Sequence, residues 1–133
     1  MTVIESATTV ARPIAEVYQF LADLNNHQRL MPENIYNWSS TADEASFTIQ
    51  NMAKLAIKIS SRVENKELIA IPSEEAPFDI ELKWTVEDNG DDTTTAKHIL
   101  SADLNMMMKM LASGPLQKLA DHQTERLSAL LAK

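Results

Sequence analysis

The chain contains no cysteine in 133 residues, which removes disulfides, thiolate catalysis and cysteine-ligated zinc together. Glycine occurs only twice, and neither copy sits in a loop suited to cradling phosphate. Basic residues are scarce: 12 Lys+Arg stand against 19 Asp+Glu, a formal net charge of −7, with no basic run. Nucleic-acid binding depends on neutralising phosphates, so nucleic acid is not an expected partner. The same acidity disfavours an electrostatically held role on a membrane surface. No stretch approaches the ~18 apolar residues of a membrane span, so no integral membrane segment is expected. The first residues, Met1-Thr2-Val3-Ile4-Glu5, lack the basic region and apolar run of a secretory signal. A cytoplasmic location is the expectation. His27 and His122 have no second ligand at metal-binding spacing, so neither a metal nor any other cofactor is expected.

What is present is an ordinary soluble composition, 44% hydrophobic and 23% charged. The length suits a single domain over residues 1–133, burying roughly two-thirds of its unfolded surface. The chain is organised around its last stretch, Asn105 to Lys133, which reads as one long helix or as two pieces hinged at Gly114-Pro115. Leu116, Leu119, Ala120, Gln123, Leu127, Leu130 and Leu131 fall within one arc of roughly 120°, opposite Lys118, Asp121, Glu125 and Ser128. Such a helix is unstable alone and must lay its apolar stripe on something wide.

The preceding residues supply that surface. Thr2 to Arg12 alternates, with Ile4, Ser6, Thr8 and Val10 on one face, and reads as a strand. Pro13 suits the first position of a helix carrying Ile14, Val17, Leu21 and Leu24. Arg12 would then be its N-cap, a poor one, leaving the corner to tertiary contacts. Asn25-Asn26 ends that helix and caps a short turn, His27 to Met31, which Pro32 stops. From Ile35 the period becomes two. Tyr36, Trp38 and Ser40 share one face; Ala45, Phe47 and Ile49 form the next; Leu55, Ile57, Ile59, Ser61 and Val63 another. Asn51-Met52 and Glu64 to Glu67 separate strands, and Pro72 to Pro77 is a loop. Phe78, Ile80, Leu82, Trp84 and Val86 make the cleanest strand. Asp88-Asn89-Gly90-Asp91 is a hairpin turn of type I′ character, returning into Ala96, His98, Leu100, Ala102 and Leu104. About seven strands beside segregated helices argue for an α+β fold with an antiparallel sheet.

This order resembles the helix-grip superfamily that holds START lipid-transfer domains, the birch pollen allergen (Bet v 1-like proteins) and bacterial polyketide cyclases. The likeness is carried by Ala11-Arg12-Pro13, by Phe20-Leu21-Ala22-Asp23-Leu24-Asn25-Asn26, by Leu30-Met31-Pro32-Glu33 and by the long closing helix. Small single-domain bacterial members are the most similar. The resemblance covers essentially the whole chain and implies a β-α-α-β6-α arrangement: a curved antiparallel sheet wrapped around the C-terminal helix, with a cavity for a hydrophobic ligand between them. Two departures stand out. Thr41 to Ala45 lacks the glycine-rich loop of the plant allergens, and no cyclase's catalytic signature matches residue by residue.

The chemistry-bearing residues are few. Met106, Met107, Met108 and Met110 point in nearly all directions of a helix, with Leu111 adding another. That turn either fills core or faces an opening for varied apolar ligands. His98 is the one titratable side chain on a predicted inner face, near Trp84. It has the chemistry to orient a ligand's polar end or to act as a general acid or base, though an inward histidine without a carboxylate partner is more often structural. No plausible carboxylate pair faces the interior, and Asp91-Asp92-Thr93-Thr94-Thr95 stands in a hairpin rather than in a phosphate-binding strand-to-helix turn. The leading expectation is therefore a carrier of a small hydrophobic molecule such as a lipid, quinone or polyketide-like ring. Its expected lining is Trp38, Phe47, Ile57, Ile59, Ile80, Leu82, Trp84, His98, Leu100, Met107, Met108 and Leu111. A cyclase or dehydratase using His98 is one alternative. A module that binds a protein partner, with a small cavity and an exposed apolar patch near the methionines, is the other.

Overall fold

A computed structural model describes residues 2–50, 53–74 and 79–131. The elements run β1 (Thr2–Val10), α1 (Ile14–Leu21), α2 (Leu24–His27), a 3-10 turn (Gln28–Leu30), β2 (Ile35–Ser40), β3 (Glu44–Ile49), β4 (Ala53–Val63), β5 (Glu67–Pro72), β6 (Ile80–Asp88), β7 (Thr94–Ala102) and α3 (Met106–Leu130). The strands form one antiparallel sheet in the order β1-β7-β6-β5-β4-β3-β2. This is the expected α+β helix-grip arrangement, a curled half-barrel with α3 lying along β1 and β7. Phe78, Asn51-Met52 and the end of the Pro72–Pro77 loop lie outside the described residues.

The alternating strands bury the faces their spacing assigns. Ala45, Phe47 and Ile49, Leu55 and Ile57, and Ala96, His98, Leu100 and Ala102 are all buried. Several local expectations are corrected. Helix α1 begins at Ile14, with Pro13 as an extended N-cap (φ −60°, ψ 152°) whose carbonyl accepts from Glu16 and Val17. Arg12 is therefore not the cap. Its Nε donates to the Leu131 carbonyl at 3.0 Å, and its own carbonyl accepts from Thr94 Oγ1 at 2.8 Å. A guanidinium at the C-terminal end of α3 is well placed against the helix dipole. Leu24 belongs to α2, which Asp23 caps by accepting from Asn25 N–H at 2.9 Å, so Asn25-Asn26 lies inside a helix. Tyr36 does not share the face of Trp38. A register shift between Tyr36 and Ser39, with Asn37 at φ 56°, turns Tyr36 outward and brings Ile35 in. A second shift, between Ile59 and Ser61 in β4, leaves Val63 exposed. The β6–β7 hairpin is longer than a type I′ turn: it spans Asn89 to Thr93, with positive φ at Gly90 and Asp92.

Helix α3 is continuous through Gly114-Pro115, not hinged. Proline removes the donor that would meet the Leu111 carbonyl. Leu111 and Pro115 both lie on the exposed side of the helix. The buried stripe is Ala112, Leu116, Leu119, Ala120, Gln123, Thr124 and Leu127. Polar ties fix the C-terminal half of α3 to β1: Gln117 Nε2 donates to the Glu5 carbonyl (3.0 Å), Ser128 Oγ to the Thr9 carbonyl (3.0 Å), and Thr124 pairs with Ser6 (2.8 Å). The Gln117 and Ser128 bonds also occupy the Glu5 and Thr9 carbonyls of this edge strand.

Candidate functional site

Two buried clusters fill the space under the sheet. One gathers Phe47, Ile49, Leu55, Ile57, Leu100 and Leu116; the other gathers Val17, Leu21, Leu68, Trp84, Val86 and Leu127. At their junction, between sheet, α2 and α3, lies a cavity of about 40 Å³. Of the expected lining residues, Trp38, Phe47, Ile57, Ile80, Leu82, Trp84, His98 and Leu100 stand on its wall.

Ile59, Met107, Met108 and Leu111 do not. Ile59 is half-buried beside the β4 register shift and packs against the clusters without reaching the cavity. Met108 packs on Ile80 and Ala102. Met107 and Leu111 are 72% and 71% exposed, as are Met106 (81%) and Met110 (82%). The first turns of α3 meet the protein on one side only, and Met108 takes that side. The wall also includes Leu24, His27, Met31, Ile49, Leu55, Leu68, Ala70, Leu116, Leu119 and Gln123. Most of these sit on apolar faces that periodicity identifies; what periodicity lacks is the depth along each element at which the cavity falls. His27 and Met31 come from short turns that carry no periodic signal.

The polar part of the site is built around Trp84. Strand pairing sets Trp84 opposite His98, and their rings stack at 4.2 Å between centroids, 6° apart. His27 meets the same indole edge-on at 6.3 Å and 88°. Its Nε2 donates to the Leu21 carbonyl at 2.7 Å. Burial lowers the pKa of His27, and burial followed by repulsion from His27 pushes that of His98 down to about 3. Both rings are neutral at neutral pH. Gln123 lies close against His98 from α3 and works against that lowering, though the two side chains do not meet in hydrogen-bonding geometry. Its Nε2 contacts the Met31 sulfur at 3.3 Å. Among the described residues, both nitrogens of His98 and the Oε1 of Gln123 have no hydrogen-bond partner. On the far wall Trp38 stacks on Phe47 (5.2 Å, 13°) while its indole N–H donates to Ser40 Oγ, leaving a flat apolar surface. Among the described residues no group of His, Asp and Glu gathers as metal ligands would, and no helix is long and apolar enough to cross a membrane.

No protein-family model matches the sequence, and no curated protein matches it. Solved structures do. The fold is similar to a protein from Thermus thermophilus (TM-score 0.78, 14% identity, covering 98% of this chain and 97% of that one). It is also similar to a START superfamily protein from Mycobacterium smegmatis (0.67, 17%, 96% and 98%) and to the Aha1 dimer from Colwellia psychrerythraea (0.70, 15%, 98% and 96%). The chain thus has the helix-grip fold of START-like proteins. Identities this low establish the fold alone.

Proposed function

We propose that the chain binds a small, largely apolar molecule between the sheet and α3. The observation that carries this reading is the pairing of apolar walls with the unpartnered polar atoms of His98 and Gln123. Buried polar groups are nearly always satisfied, and a space serving only as core is more readily filled with hydrocarbon. The present volume, about 40 Å³, is far below the ~300 Å³ at which ligand pockets begin. Uptake therefore moves the walls apart, and the ligand is small rather than a long-chain lipid. The histidine chemistry argues against the enzymatic alternative: a general base works best with a pKa near the working pH, and His98 is held near 3 with no carboxylate on the cavity wall among the described residues.

Two observations favour a second reading, a module that docks on a protein partner. The cavity is small, and Met106, Met107, Met110 and Leu111 form an exposed apolar end on α3. Native mass spectrometry of protein purified from its own host, followed by organic extraction, separates the two. A near-stoichiometric apolar mass is the expected result. Empty protein that also refuses small apolar probes overturns the binding reading and moves attention to the methionine end.

A further inference from the structure

Among the described residues, no Lys, Arg, Asp or Glu lines the cavity. Its ring and amide groups are His27, His98 and Gln123, besides two indoles: that of Trp38, whose N–H is already taken by Ser40, and that of Trp84, whose N–H is not among the buried unpartnered atoms. His27 is engaged through Nε2 with the Leu21 carbonyl, and Gln123 turns its amide nitrogen to Met31. What remains is the imidazole of His98, 1% exposed, and the Oε1 of Gln123, 3% exposed. A neutral imidazole offers one N–H donor and one acceptor nitrogen. With the Gln123 carbonyl, which lies beside the ring without hydrogen-bonding geometry to it, the unmatched set is one donor and two acceptors. A hydroxyl group complements that set, accepting from the imidazole N–H while donating its hydrogen to an acceptor. A ketone, ether or quinone oxygen answers only the donor. A carboxylate loses its hydration with no counter-charge to replace it.

We infer that the ligand is an uncharged apolar molecule bearing a hydroxyl group, seated with that hydroxyl against His98 and Gln123 and its hydrocarbon among Phe47, Trp84 and Leu100. The inference rests on the binding reading above. The low pKa of His98 agrees with it, since the ring adds no positive charge to attract an anion at neutral pH.

The test uses three probes on one skeleton, titrated calorimetrically into the full chain at pH 7.5: ethylbenzene, 4-ethylphenol and 4-ethylbenzoate. 4-Ethylphenol is expected to bind about tenfold tighter than ethylbenzene, the worth of one or two buried hydrogen bonds, and 4-ethylbenzoate not detectably. His98→Phe and Gln123→Leu should each bring the ratio of phenol to ethylbenzene affinity close to one. Ethylbenzene binding as tightly as the phenol, or the benzoate binding at all, overturns the hydroxyl assignment and leaves the cavity a ligand site. Failure of all three to bind overturns the binding reading itself. The wild-type comparison decides the matter even where a substitution prevents folding.

Discussion

At the scale of single residues, the core is unusual in holding two neutral histidines against one tryptophan. Each loses hydration on folding, and protonating either is costly in the folded state but not in the unfolded one. The sign follows from proton counts. Between the ordinary histidine value near 6.5 and the folded value of about 3, the unfolded chain holds the proton on His98 and the native chain does not. Stability is therefore full above pH 6.5 and falls with acidification, at about 1.4 kcal/mol per pH unit from His98 once well below 6.5. His27 adds a loss in the same direction. Urea unfolding at pH 7.5, 6 and 5 checks this. His98→Phe, which keeps a ring on Trp84, should flatten the slope; an unchanged slope would show that other groups control the acid limb.

At the scale of elements, α3 is two different surfaces in one helix. From Ala112 onward its buried stripe fills the core; before that, Met106, Met107, Met110 and Leu111 face outward. Asn105 starts it by accepting from Met108 N–H at 2.9 Å, a cap worth roughly 1 kcal/mol. Leu116→Ala should cost about 2–5 kcal/mol, because Leu116 is 2% exposed and the walls around it close only partly. Met107→Ala should stay within about 0.5 kcal/mol. Chemical denaturation of the two variants tests the contrast, and comparable losses would mean that the methionine end is buried. This split also marks what the sequence makes legible. Strand faces such as Ala45-Phe47-Ile49 follow from alternation, since every second side chain must leave water, and the stripe from Leu116 to Leu127 follows from helical spacing. The all-round apolar turn of methionines fits a buried or an exposed end equally, because period alone does not say how far the sheet reaches. Tyr36 departs from its expected face for a different reason: a one-residue shift at Asn37 reverses a face, and asparagine in a strand is weak notice of it. His27 reaches the cavity wall from a four-residue helix too short for any pattern.

At the scale of the whole molecule, the ties between α3 and the sheet are unevenly placed. The side-chain hydrogen bonds to β1 come from Gln117, Thr124 and Ser128, and the Leu131 carbonyl receives Arg12. The N-terminal turns have Met108 packed on Ile80 and Ala102, with Ser113 bonding back only to the Lys109 carbonyl of its own helix. A cavity of about 40 Å³ admits a ligand only if a wall moves, and the α3 part of that wall, Leu116, Leu119 and Gln123, adjoins the N-terminal turns that are least fixed. Local opening free energies follow buried contact and tertiary bonding. The amides of Lys109 to Ser113 should therefore exchange with deuterium at least about tenfold faster than those of Ala120 to Leu127. A bound molecule touching Leu116 and Leu119 should slow the faster group more than the slower one, because it adds contact where contact is sparse. Uniform protection along α3 would place the moving wall elsewhere, in α2 and the turn carrying Met31, the remaining helical side of the cavity. Slow exchange at both places, with no uptake of probe, would leave a sealed core, and the exposed methionines would become the surface through which this fold acts.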